Sequence, residues 1–219
     1  LAESGLMNYV GQVWYQKTFY LNGKHAGEQY IIRFGAVDYH AKIWINGEYV
    51  GEHSGGFLPF NFDITSHLDF SDKNKIVIRV DNTLSHDTLP QGITCDNYSE
   101  FNKQREQTFP PAAFDFFTYG GLQRPVRIYT VNELHLTDAK IITNVNAETG
   151  IVKYQAKFSH PDASARVKLT LCDGDAVLTT QIQNLDKSNV HGKFEITDCR
   201  FCSPLDPHLY QLQFDIILT

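Results

Sequence analysis

The chain has 219 residues, 42% of them apolar and 20% charged, with a formal net charge of −6. That length holds one large β domain or two smaller ones, and the apolar share excludes a disordered tail protein. An acidic balance excludes nucleic acid or an anionic membrane as the main partner, and no apolar run reaches the 18 residues of a spanning helix.

The opening stretch, "LAESGLMNYVGQVWYQ", carries neither an initiator Met nor a charged-then-apolar leader, so it reads as an excised piece that says nothing of targeting. From there the hydrophobic period is two. "VWYQKTFYL" (13–21) sends Val13, Tyr15, Phe19 and Leu21 to one face. "QYIIRFGAV" (29–37) alternates through Tyr30, Ile32 and Phe34, and "AKIWINGEYV" (41–50) through Ala41, Ile43 and Ile45. Asn46-Gly47 then accepts positive φ easily and predicts a hairpin. Trp14 and Trp44 lie within these strands, where core or half-core burial is the expectation for their residue type. "EHSGGFLPF" (52–60) places His53 beside Gly55-Gly56. No nucleophile or acid pattern surrounds that histidine, so it reads as a hydrogen-bonding prop next to a tight connection. The glycines have neither the spacing nor the Lys-Ser/Thr ending of a phosphate cradle. Asp63 is expected to start a short turn at Thr65-Ser66-His67.

"KIVIRVDN" (75–82) and "RPVRIYTV" (124–131) resume the alternation. Between them "SHDTLPQGITCDNYSEFNKQREQTFPPAAF" runs for about 30 residues with three prolines and no period. Loops of this length are uncommon in compact domains and are binding loops or linkers when they occur. This one carries Cys95, Tyr98, Phe101 and Phe109, too many anchors for a linker alone. Function and a crossover draped over a sandwich both stay open. It leads into "FDFFTYGGLQRPV" (114–126), which sets one carboxylate, Asp115, among phenylalanines. An unpaired carboxylate in a core costs several kcal/mol, of order 2–7 for a polar group and more for a charge, so Asp115 must face water, an arginine or a ligand.

After Asn132 come short strand-like runs: "HLTDAKIITNV", "GIVKYQAKF", "ARVKLTLCDGDAVLTTQIQ", "GKFEITDCRF" and "LYQLQFDIIL". They predict a second sandwich of roughly 90 residues, immunoglobulin-like in outline, with the boundary near residue 132. The fold class is therefore all-β: one sandwich over 1–131 and an immunoglobulin-like sandwich over 132–219. Cys95, Cys172, Cys199 and Cys202 do not form a secreted disulfide framework. "CRFC" is a lone Cys-x-x-Cys whose i and i+3 thiols would point to opposite faces of a strand, so structural thiols are preferred to a zinc site. Unpaired thiols favour a reducing compartment such as the cytoplasm. No acidic cluster has the spacing of a calcium loop, and no cofactor motif is present.

Taken together, "VWYQKTFYL", "YHAKIWINGEYVGEHSGGFLPFNFDIT", "VDNTL…TLPQG" and "FDFFTYGGLQRPVRIYT" resemble glycoside hydrolase family 2. "EHSGGFLPF" and "DFFTYGGLQR" are more similar to its β-glucuronidase branch than to its β-galactosidase branch. The likeness is strong over 8–131; beyond that it rests on strand layout and on "SPLDPHLYQLQF". It implies that 1–131 is a jelly-roll sugar-binding domain short of its first strand or two, ahead of the immunoglobulin-like domain. A (β/α)₈ barrel with both catalytic glutamates would follow and is absent here. Retaining glycosidases need two carboxyl groups about 5–5.5 Å apart, so the chain alone is expected to be inactive. Asn132-Glu133 stands at a boundary between β domains, and Glu133 reads as a linker residue. Asp115 is the position that the family uses to hydrogen-bond the sugar; the competing reading has it cap a turn or pair with Arg124 or Arg127. The implied partners are the barrel, a β-glycoside substrate and further copies in a homo-oligomer, with no cofactor or metal. Two other readings stay open: a free-standing carbohydrate-binding module, whose aromatics would come from Tyr98, Phe101 and Phe109, and a purely structural pair of sandwiches.

Overall fold

A computed structural model of the chain describes residues 1–6, 9–21, 23, 27–92, 119–146 and 148–218. These residues are almost wholly strands and turns, and fall into two compact units, Leu1–Val131 and Asn132–Thr219. Among them no helix is long and apolar enough to cross a membrane.

The strands of the first unit are β1 (Gln12–Phe19), β2 (Glu28–Phe34), β3 (Val37–Asp38), β4 (His40–Ile45), β5 (Glu48–Ser54), β6 (Phe60–Asp63), β7 (Asn74–Asp81), β8 (Gly121–Leu122) and β9 (Val126–Asn132). One sheet has the order β1-β7-β4-β5 and a second the order β6-β2-β9. The alternation read from the sequence decides which residues face inward. Ile32, Phe34, Ala41, Ile43, Ile45, Ile78 and Val80 are buried between the sheets, with Val13, Tyr15 and Phe19 packed on their edge. The β4–β5 hairpin closes through Asn46 at φ 54° and Gly47 at φ 90°. Those are the mirror-image turn angles whose twist matches the flanking strands. Asp63 opens the next turn as expected: its Oδ1 accepts bonds from Thr65 N at 2.9 Å and Thr65 Oγ1 at 2.6 Å.

Two side chains depart from expectation. Trp14 is 61% exposed and Trp44 half-buried, both on the outer face of their sheet. Residue type argued for burial, but strand parity places Trp14 opposite Val13 and Tyr15 and therefore outside. His53 acts chiefly as a flat ring stacked on Phe60, with centroids 4.1 Å apart, and its buried Nε2 has no hydrogen-bond partner. Burial holds its pKa below the usual histidine value.

The second unit contains β10 (Leu136–Asn146), β11 (Thr149–Phe158), β12 (Asp162–Asp173), β13 (Ala176–Leu185), β14 (Asn189–Ile196) and β15 (Gln211–Leu218). Its sheets, β10-β11-β14 and β13-β12-β15, enclose Tyr154, Ala156, Phe158, Val167, Leu169 and Phe194. β14 ends at Ile196, so Cys199 and Cys202 stand in coil and not on a strand; both thiols are free, as is that of the buried Cys172. Glu133 is exposed on the connection between β9 and β10.

Candidate functional site

Asp115 lies outside the described residues, as do Cys95, Tyr98, Phe101 and Phe109. The structure does describe the frame on both sides of that stretch. After β7 the chain passes Asn82 and winds into a knot at Ser85–Gly92. There Thr88 Oγ1 accepts from Ser85 N at 2.9 Å, and Gly92 N donates to Ser85 O at 2.8 Å. Gly92 packs so tightly on Leu84 that a Cβ would stand 2.6 Å from that side chain. The knot is tied to "EHSGGFLPF" by Gly56 N, which donates to Leu89 O at 2.7 Å.

On the far side, Gly120 and Gly121 bring the chain back. Gly120 lies against Asn82, where a Cβ would stand 2.6 Å from Nδ2. Asn82 is 3% exposed, and its amide is bonded at both ends: Oδ1 accepts from Gly11 N at 2.8 Å and Nδ2 donates to Tyr9 O at 2.7 Å. Gly121, at φ +98°, pairs with Asp38 across the short β3–β8 ladder, a backbone angle that favours glycine. Gln123 N and Arg124 N then both donate to Ala36 O, at 3.1 and 3.3 Å.

Asp38 therefore stands between the two sides. Its backbone pairs with Gly121, while its carboxyl Oδ1 accepts from Phe57 N at 3.0 Å. A Cβ on Gly56 would come within 2.8 Å of the same oxygen. The residue is fully buried and its Oδ2 has no hydrogen-bond partner. Burial pushes its pKa up to about 6, against the Phe57 bond and the Arg124 charge, which pull it down. Tyr39, next in the chain, is also buried with an unpartnered hydroxyl; burial and the neighbouring Asp38 charge both raise its pKa. Phe57 meets the Tyr39 ring edge-on at 6.3 Å.

The arrangement is a clamp. "GAVDYH", "EHSGGFLPF", "VDNTL…TLPQG" and "YGGLQR" are distant in sequence yet converge on Asp38 and Asn82. The frame can fix the backbone on either side of 93–118; it offers no described pair of carboxylates for acid–base chemistry. Among the described residues no group of three His, Cys, Asp or Glu side chains could hold a metal. The sequence reading passed over Asp38. In the sequence Val37-Asp38 reads as ordinary strand alternation, and only the fold shows both positions buried.

Residues 1–132 match the family model described as the sugar binding domain of glycosyl hydrolases family 2. A β-glucuronidase of Paenibacillus borealis is 34% identical over 217 residues, 98% of this chain and 35% of that protein. One from Felis catus is 36% identical over 155 residues, 68% of this chain and 24% of the relative. Among solved structures, an uncultured Clostridium sp. β-glucuronidase superposes with a TM-score of 0.76 at 29% identity, covering 97% of this chain and 34% of that one. A Bifidobacterium dentium β-glucuronidase complexed with coumarin-3-O-glucuronide gives 0.79 at 27% identity, covering 95% and 37%. This chain thus spans about a third of the length of the first relatives it matches. With the family model extending through the whole clamp, from the first residue to the end of β9, the chain belongs to glycosyl hydrolase family 2.

Proposed function

We propose that the chain serves as the non-catalytic, sugar-binding part of a longer retaining β-glucuronidase. Its first unit is the jelly-roll domain and its second the immunoglobulin-like domain, meeting at residue 132. The observation that carries this reading is the Paenibacillus borealis likeness, which runs through 98% of this chain yet takes up 35% of the relative. The two acid–base carboxylates required for glycoside cleavage belong, on this reading, to a barrel elsewhere in the longer protein. The chain contributes a scaffold for that barrel, a face of a homo-oligomer, and one loop of the sugar site. The clamp at Asp38 and Asn82 supports this role, since a loop aimed at substrate needs rigid supports at both of its ends.

Asp115 is the residue proposed to accept hydrogen bonds from the sugar hydroxyls, with charge-assisted strength. In the full-length protein, Asp115→Ala is expected to lower kcat/KM for a chromogenic β-glucuronide by roughly ten- to a hundredfold, or about 1.5–3 kcal/mol, and to leave the melting temperature nearly unchanged. Unchanged kinetics with a sharp drop in melting temperature would make Asp115 a structural residue. The 219-residue chain by itself should turn over neither β-glucuronide nor β-galactoside. Activity that survives rigorous purification overturns the non-catalytic assignment.

A further inference from the structure

The outer face of the β1-β7-β4-β5 sheet presents a feature that the glucuronidase reading leaves unused. Register aligns two rows across the strands. In one, Trp14 stands opposite Arg79, Arg79 opposite Lys42, and Lys42 opposite Glu52. In the other, Gln16 stands opposite Val77, Val77 opposite Trp44, and Trp44 opposite Tyr49. Trp14 and Trp44 reach toward one another over β7, with ring centroids 5.5 Å apart and planes inclined by 27°; Tyr49 meets Trp44 edge-on at 5.9 Å. Trp14 is 61% exposed and Tyr49 51% exposed. Trp44 thus stacks on the Trp14 indole, most of which is left to solvent.

The surroundings decide what such a platform suits. Apart from Val77, the neighbours on this face are polar: Gln16, Lys42, Glu52 and Arg79. Lys42 Nζ and Glu52 Oε2 are paired at 2.9 Å, and Arg79 Nε is buried with no hydrogen-bond partner. Protein interfaces are depleted of Lys and Glu at their centre, whereas this face sets a Lys42–Glu52 pair beside its aromatics. Exposed indole beside paired charges is instead complementary to a pyranose ring. The partly positive C–H hydrogens of the sugar's apolar face meet the negative face of the ring, and its hydroxyls meet the polar row.

We propose that Trp14, backed by Trp44 and flanked by Lys42, Glu52 and Arg79, is a glycan-binding platform for β-linked pyranosides. The aromatics of this surface lie on β1, β4 and β5.

The protein supplies its own reporter, because Trp14 and Trp44 are its two tryptophans. Cellotetraose and a hyaluronan tetrasaccharide would be titrated separately into the 219-residue chain, followed by indole emission and by calorimetry. The expected result is a saturable emission change with heat, within roughly ten millimolar sugar, for at least one of the two. Which one binds tells whether a uronate carboxylate is preferred. Trp14→Ala should weaken binding by about tenfold or more, Trp14→Tyr by less, and Tyr129→Ala, on the other sheet, not at all. Should Trp14→Ala fail to fold, the graded loss in Trp14→Tyr and in Arg79→Met carries the test. No response to either sugar overturns the proposal. So does a response that Trp14→Tyr and Arg79→Met leave intact, or concentration-dependent self-association that Trp14→Tyr removes without any sugar effect. No hydrolysis is measured, so neither outcome bears on the glucuronidase reading.

Discussion

The two units reach similar sandwiches with different interiors. Within the first, three polar side chains are buried among the described residues beyond its apolar core: Asp38, Asn74 and Asn82. Each of the three ties a loop. Asn82 holds the chain before β1, Asn74 holds the turns around Asn46 and Asp69, and Asp38 holds the "SGGF" turn. The second unit buries Thr170 alone of the polar residues described. A buried polar group is costly unless bonded, and once bonded it specifies one loop geometry. The first unit fixes its loops with such hubs, and the second does without them.

If that contrast is right, the second unit should be most sensitive to loss of apolar volume. Leu169 is fully buried on β12, the central strand of its sheet. Leu169→Ala should cost about 3–5 kcal/mol in urea unfolding, through lost transfer energy and the cavity left behind. A cost below about 1.5 kcal/mol would mean that this core collapses around the gap and is less tightly packed than its burial implies.

The first unit should instead show a pH signature. Asp38 has a folded pKa of about 6, raised by burial, against about 3.9 for an unfolded aspartate. The folded state therefore holds this proton more tightly. Stability from Asp38 is greatest below pH 4, falls as pH rises toward 6, and is level above. The loss across that window is up to about 3 kcal/mol. Other carboxylates with lowered pKa, such as Asp81, push the opposite way, so the quantity to measure is a difference. Asp38→Asn keeps an oxygen for Phe57 N and removes the titration. Relative to the parent chain it should gain stability between pH 4 and pH 6.5 and none beyond. A flat difference would show that Asp38 stays charged in the fold, with Arg124 offsetting its burial.

Much of the fold was legible in the sequence, because strand parity is written in single residues. Val13 and Tyr15 were placed inward correctly, and the same parity already put Trp14 outside; only the habit of burying tryptophan argued otherwise. Asn46-Gly47 announced a hairpin that formed. The β3–β8 ladder was not legible. It is two residues long and joins partners more than 80 positions apart, Val37 with Leu122 and Asp38 with Gly121, so no local period marks it. For the site, the motifs were recognised from the chain, but their convergence on Asp38 and Asn82 is a tertiary fact. Asp115 itself remains an inference from resemblance.

The smallest expected effect separates turn geometry from the hub beneath it. Asn46 adopts φ 54°, which glycine would tolerate without strain, so the hairpin alone would accept Asn46→Gly. Its side chain does more than favour the turn. Nδ2 donates to His67 O at 2.9 Å and to Asn74 Oδ1 at 2.8 Å, and Oδ1 accepts from Lys75 N at 2.8 Å. Asn74 is fully buried, yet its Oδ1 also accepts from Asp69 N at 2.8 Å, so it keeps a partner when Asn46 is lost. The penalty is then a few modest net hydrogen bonds in a partly solvated place, plus the added freedom of glycine in the unfolded chain. Together these come to about 1–2 kcal/mol. Amide exchange should quicken at His67, Asp69 and Lys75 while Glu48, across the turn, changes little. Equal loss of protection on both sides would mean that Asn46 matters as a turn residue, and that the buried asparagine beneath it is held by Asp69 alone.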